Sequence, residues 1–317
     1  MLKLWSILKQ RIYKDGVPQH VYVRGKGGGI VFYCLEDCVF YITLYYCTAR
    51  KYGIVTNAFS LMPNHSHSQQ MARDRKSFSS FNMEMHSKYA KGYNRQHDRD
   101  GQLFDTPFGS ASKTIGKTVK SNISYICNNG AEGRLSGGIM DYRWNMVAYC
   151  FRKNPFSEKI VLHSASRKLR KALHRVRCCR KALKPLDYKT QELIYKGLDR
   201  KEKQQVLDYI LSEYNVLDTE AMVLCFGSLE RALAAMEANC GSEYDLKEDW
   251  DDYSVYRKME RCLVMTGMDL RTVNFEKMDK AELESIRNLL KRKTGASNRQ
   301  LDIFLHEGMA GNNLESN

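Results

Sequence analysis

Two hydrophobic rhythms alternate over the first 155 residues. Short apolar and β-branched runs, "QHVYVRG" (19–25), "GIVFY" (29–33) and "GIVTNAFSLMPN" (53–64), read as strands. Between and after them, "LEDCVFYITLYYCTARKYG" (35–53) and "SFSSFNMEMHSKYAKGYNR" (77–95) repeat their apolar residues at helical spacing. The segment "KTVKSNISYICNNGAEG" (117–133) reads as a further helix, ending near Gly130. This half is therefore expected to be a mixed α and β domain, residues 1–155. Beyond Pro155 the strand-like runs stop. "TQELIYKGLDRKEKQQVLDYILSEY", "LERALAAMEANC" and "AELESIRNLLKRKTG" all carry helical periodicity, which predicts an all-helical region over 186–306. Residues 156–185 form a basic connector between the two, and 307–317, polar and short of apolar residues, are expected to be a disordered tail.

Charge changes the picture of possible partners. At 317 residues with 50 Lys and Arg against 36 Asp and Glu, the chain carries +14, so some face should attract polyanions, of which nucleic acid is the commonest. The run "SRKLRKALHRVRCCRKALK" (166–184) concentrates that charge, either as a solvated helix face or as a phosphate-contacting surface. The acidic "SEYDLKEDWDDY" (242–253) reads as a hydrated linker. No stretch approaches the roughly 20 apolar residues that a bilayer core requires, and the apolar part of "MLKLWSILKQRIYKDG" is too short for a signal peptide. A soluble cytoplasmic protein with reduced thiols is expected. The ten cysteines are scattered without a CxxC pair, and the adjacent Cys178 and Cys179 would not share a helix face.

The candidate chemistry centres on "LMPNHSHSQQ" (61–70). In a strand, His65 and His67 point to the same face, so two imidazoles can converge on one ion. They can equally be two ordinary polar residues, and a catalytic metal needs a third ligand and a group to activate. Tyr125 and Asn129 stand four apart, on one helical face, and supply a phenol and an amide oxygen. Elsewhere, "RGKGGGIVFY" lacks the Gly-Lys-Ser/Thr of a P-loop and reads as a flexible hairpin from which Arg24 and Lys26 could touch DNA. Lys88, Lys91 and Arg95 recur at three and four residues along a helix, as a second DNA-binding candidate or a solvated face. His86 and His97, lacking partners at ligand spacing, read as structural or exposed. Glu36 and Asp37 open an apolar helix, where carboxylates suit the dipole.

Taken together, "AFSLMPNHSHS" (58–68), "YAKGYNRQ" (89–96), "GQLF" (101–104), "ISYICNNGAEGRL" (123–135) and "DYRWNMVAY" (141–149) resemble, in order, the REP-associated tyrosine transposases, single-tyrosine members of the HUH superfamily. The resemblance spans about residues 20–149. It implies an α+β fold, an antiparallel sheet with helices built on a ferredoxin-like or RRM-like core, followed here by an all-α C-terminal region. It also implies that His65, His67 and Asn129 bind Mg²⁺ or Mn²⁺, and that Tyr125 attacks single-stranded or hairpin DNA to form a 5′-phosphotyrosine. Such a partner implies a place with the nucleoid, and the sequence leaves monomer and homodimer both open. Two departures stand out. Ser66 replaces the family's bulky apolar residue between the histidines, with Ser68 on the same face, so that strand is expected to be less well anchored, by about 1.5–3 kcal/mol of lost burial. Gly130 follows Asn129 where the family has proline. Those departures keep a rival in view, a DNA-binding protein of the same fold without catalysis; a metal hydrolase of small phosphoesters is a third reading. Near the C-terminus, a capping box Asp279 to Glu282, an amphipathic helix, a Gly295 turn and a second helix opened by Ser297 resemble a partial helix-turn-helix over 279–306, or a simple helical hairpin.

Overall fold

The computed structural model describes residues 13–113, 116–133, 135–237, 254–268, 275, 278–296 and 298–305. Strand β1, Gln19–Arg24, alternates as its sequence requires: Gln19, Val21 and Val23 are buried, while His20, Tyr22 and Arg24 face the other way. The expected second strand "GIVFY" does not form. Gly27 and Gly28 take positive φ (61° and 73°) in a tight turn, and the chain past Gly29 runs as a loop whose Val31 and Phe32 amides both bond to the Pro63 carbonyl. Helix α1, Leu35–Tyr52, begins where the Asp37 carboxylate accepts the Tyr33 and Cys34 amides, and ends at Gly53 in the left-handed region.

Strand β2, Val55–Met62, turns through Pro63 and Asn64 into β3, His65–Met71. Asp74 caps the next helix, α2, Arg75–Gln96, and a short strand β4, Gly109–Ser112, closes the unit. The order βαββαβ, with an antiparallel sheet arranged β2-β3-β1-β4, is the ferredoxin-like topology. Strand β4, "GSAS", has no apolar run to announce it. Helices α1 and α2 pack on one face of the sheet. Helix α3, Gly116–Glu132, takes the other, where Gln69 of β3 donates to the Val119 carbonyl and to Asn122 Oδ1. It ends at Glu132, near the end expected from the sequence, and Gly130 lies flat against the Tyr142 ring, which a Cβ would strike.

The rest of the described chain is helical: α4 Ala148–Phe151, α5 Arg167–Lys181, α6 Tyr188–Tyr195, α7 Arg200–Glu213, α8 Thr219–Phe226, α9 Leu229–Glu237, α10 Ser254–Met265, α11 Lys280–Thr294 and α12 Asn298–Leu305. The chain is thus α+β with a helical C-terminal region, and side chains on both sides of Pro155 share one core. Leu186 N–H donates to Thr43 Oγ1, Tyr188 to Asp37, and Asn128 to the Met236 carbonyl, so α1 and α3 are held from the helical side. Asp279 caps α11, and Gly295 ends it in the left-handed region before α12. The acidic stretch 242–253, Ser297 and the tail 307–317 lie outside the described residues. Among the described residues no helix is long and apolar enough to cross a membrane.

The serine between the histidines corrects the expectation of a loosened strand. Ser66 is buried, and its hydroxyl sits 2.6 Å from the Tyr41 hydroxyl, which is in turn 3.2 Å from His86 Nε2. Beside it, Gln70 donates to Ser68 Oγ at 2.8 Å and receives the Asn82 amide at 2.9 Å. A hydrogen-bonded polar layer therefore replaces the apolar plug, and its groups keep partners in the core. Ser66→Val is expected to destabilise the chain by about 1–3 kcal/mol in urea denaturation, since it strips the Tyr41 hydroxyl of a partner and adds volume to a filled site. An apolar-plug site would instead be stabilised. Burial also lowers the His86 imidazole from its ordinary 6.5 to about 4. The unfolded chain then takes up this proton first, so the stability linked to His86 is complete above about pH 6.5 and lost as the pH falls toward 4, by up to about 3 kcal/mol. In His86→Phe the urea midpoint should fall less steeply across that window than in the parent.

Candidate functional site

The second face of the sheet is set by the same alternation. With Ser66 and Ser68 turned toward α1 and α2, His65, His67 and Gln69 project toward α3. Antiparallel register places Tyr22 opposite His67 and Arg24 opposite His65, so β1 adds its outward residues, His20, Tyr22 and Arg24, to this surface.

His65 is oriented by its neighbour. The Asn64 amide donates to the Gly28 carbonyl at 3.1 Å, which turns the Asn64 oxygen toward His65 Nδ1, 2.6 Å away. His65 Nδ1 must therefore carry the proton, leaving the Nε2 lone pair available, as outer hydrogen bonds do for metal-binding histidines. Burial, helped by the Arg24 charge, lowers its pKa to about 4. Burial and the neighbouring imidazoles His65 and His20 lower His67 well below 6.5. Both rings are neutral at pH 7, the form in which imidazole ligates.

His20 was not singled out by the sequence pattern. Its Nε2 lies 2.9 Å from His67 Nδ1, and burial, with the Lys113 charge, lowers its pKa to about 4. A single proton is shared between two neutral rings. If His67 donates it from Nδ1, His67 Nε2 is free; if His20 donates, it is not. The signal was available in "QHVYVRG", whose His20 and Tyr22 share the outward face of β1, but only the pairing of β1 with β3 brings His20 beside His67.

Tyr125 stands on α3 with its ring 43% exposed, edge-on to His67 at 5.8 Å and to His20 at 6.0 Å between ring centroids. Partial burial, and secondarily the Glu132 carboxylate, raise its pKa, so the phenol holds its proton. Asn129 lies one turn further along, buried, and its amide donates to the Ile126 carbonyl at 3.3 Å. The structure thus brings Tyr125, His67 and His20 together and turns the Asn129 amide nitrogen back onto its own helix.

The DNA-binding candidates fall on different sides of the sheet. Arg24 lies beside His65, and exposed Lys26 follows in the adjoining turn. Lys88, Lys91 and Arg95 are exposed on α2, across the sheet from the histidines, and Lys88 is paired with Glu84 at 2.7 Å. His86 and His97 are inside: the first in the polar layer, the second at the end of α2, 2.8 Å from Asp37.

The donor set, two neutral imidazoles with one ring nitrogen fixed as a donor, fits a divalent transition-series ion or Mg²⁺ with further oxygen ligands. Because His20 orients His67, His20→Phe is expected to weaken Mn²⁺ binding about tenfold by isothermal titration, with little change in unfolding temperature.

No protein-family model matches the chain, and no curated protein matches it. Among solved structures the chain is similar to a REP-associated tyrosine transposase bound to a REP hairpin, at 15% identity and a TM-score of 0.38, over 50% of this chain and 94% of that one.

Proposed function

We propose that the chain is a metal-dependent DNA nicking and strand-transfer enzyme, with Tyr125 as nucleophile and His65, His67 and Asn129 as the ligands of Mg²⁺ or Mn²⁺. The observation that carries this reading is the half-exposed Tyr125 ring, 5.8 Å from a half-buried, neutral His67 on the outward face of the sheet. Bound there, the ion would supply Lewis acidity to the oxygens of the scissile phosphate.

The residues present divide the remaining work. His65 and His67, kept neutral by burial, offer lone pairs without adding positive charge that would repel an ion. Tyr125 Oη bonds to phosphorus as the bond from phosphorus to the 3′ oxygen breaks, giving a 5′-phosphotyrosine and a free 3′-hydroxyl. The phenol gives up one proton and the leaving oxygen gains one, so the step balances. Reversal by another 3′-hydroxyl joins strands without ATP. Since burial and Glu132 disfavour the phenolate, attack depends on a cation near the phenol.

The surface around the tyrosine suits unpaired DNA. Tyr22 is 47% exposed and lies 6.2 Å from His67, a platform on which a base can stack, while Arg24 and Lys26 adjoin it as phosphate contacts. Single-stranded or hairpin DNA is the partner this implies, in the cytoplasm with the nucleoid. The rival, a DNA-binding protein of the same fold without chemistry, rests on Ser66 standing where the family has an apolar residue; the Asn129 amide nitrogen, bonded to the Ile126 carbonyl, leaves the amide oxygen to ligate.

Incubation of labelled single-stranded hairpin DNA with Mn²⁺ separates the two. The parent chain should form a covalent protein–DNA band that Tyr125→Phe abolishes, at least a thousandfold loss, while both shift the DNA equally. A shift without cleavage across varied hairpins would sink the enzymatic reading and leave the rival.

A further inference from the structure

On the other side of the sheet from Tyr125, where α1 begins and α2 ends, three residues of metal-binding type are gathered that the proposed DNA chemistry does not use. Cys34 Sγ, an Asp37 carboxylate oxygen and a His97 ring nitrogen all lie within 4.8 Å of one another. Cys34 and Asp37 are buried and His97 is nearly so. We propose that Cys34, Asp37 and His97 form a zinc-type metal site that fastens the start of α1 to the end of α2.

Each ligand is already positioned. Asp37 Oδ2 is anchored by the Tyr33 and Cys34 amides at 3.0 and 3.1 Å, which leaves Oδ1 facing His97 Nε2 at 2.8 Å. Such an outer hydrogen-bond pair is how ligating carboxylates are aimed. Tyr188 of α6 donates to the same Oδ1 at 2.8 Å and supplies an oxygen for a fourth position, otherwise filled by water. In a tetrahedral zinc site the ligand atoms stand about 3.3–3.5 Å apart, so small movements accommodate the ion. One thiolate, one imidazole and one carboxylate is a mixed soft and hard set that suits Zn²⁺ better than Mg²⁺.

A second observation points the same way. The Tyr93 ring packs 4.2 Å from the His97 ring, and its hydroxyl is fully buried without a hydrogen-bond partner among the described residues. The pocket therefore contains more polar capacity than its side chains satisfy.

The test uses the full chain, stripped of metal and titrated with Zn²⁺ and then with Co²⁺, whose bond to a thiolate gives a near-ultraviolet charge-transfer band. One equivalent of Zn²⁺ should raise the unfolding temperature, and Co²⁺ should give the thiolate band, in the parent and equally in a His65→Ala, His67→Ala variant. Cys34→Ser, which keeps a good helix cap, should remove the band and weaken Zn²⁺ binding about a hundredfold or more. His97→Asn should weaken it as well, while retaining the far-ultraviolet circular dichroism of the parent. No band in the parent would overturn the proposal. So would a band that survives Cys34→Ser and disappears in Cys178→Ser, because the exposed Cys178 lies 3.4 Å from His174 and offers the alternative thiolate.

Discussion

The alternation of side chains along β3 governs both the core and the candidate site. Its even-numbered residues, Ser66, Ser68 and Gln70, go into the space between sheet, α1 and α2, and its odd-numbered residues, His65, His67 and Gln69 beyond them, go toward α3. Gln69 and Gln70 break the simple polar-out rule because helices cover both faces there, so every residue from Ser68 to Gln70 is buried and must find a partner. They do: Gln69 with α3, Gln70 with Asn82 of α2. A slip of one residue in the register would send the imidazoles into the aromatic core and the serines to the surface.

Desolvation is the electrostatic consequence of that placement. Imidazoles at positions 20, 65, 67 and 86 all lose proton affinity, chiefly because a charge at any of them would be held away from water, and at His20 and His65 also because Lys113 and Arg24 are positive. Three of these rings converge on the outward face, and mutual repulsion of their charged forms adds to the burial effect at His67. The same physics acts in the opposite sense on the phenol of Tyr125, whose neutral form is favoured. Neutral imidazoles keep the ring lone pairs that imidazolium ions lack. Across the sheet, the anchored carboxylate of Asp37 plays a comparable organising part, tying α1, α2 and α6 at one point.

Much of this was legible in the residues. The 3.6-residue period of "LEDCVFYITLYYCTARKY", closed by Gly53, and of the segment opened by Asp74 specifies α1 and α2 through local chemistry. "HSH" on a strand specifies two imidazoles on one face, and a tyrosine four before an asparagine specifies a shared helix face. Short-range patterns of this kind follow from dihedral geometry, which the local sequence decides. The described residues past 155 are helical for the same reason.

What the chain's own pattern did not disclose depends on neighbours distant in sequence. Strand β4 is four small or polar residues, held as a strand only because β1 offers an edge to pair with. "GIVFY" has the composition of a strand, but its Val31 and Phe32 amides bond to the Pro63 carbonyl in the turn between β2 and β3 instead of to a strand. Ser66 reads as a missing plug in the sequence, but Tyr41, twenty-five residues before it, bonds to its hydroxyl and is held in turn by His86. His20 became part of the site, and Lys88, Lys91 and Arg95 were put behind the sheet, by strand pairing and helix packing alone. Sequence determined the elements and the faces of each, because those are set within a few residues; tertiary structure decided which faces meet, because burial and hydrogen-bond satisfaction are settled only when every distant partner is in place.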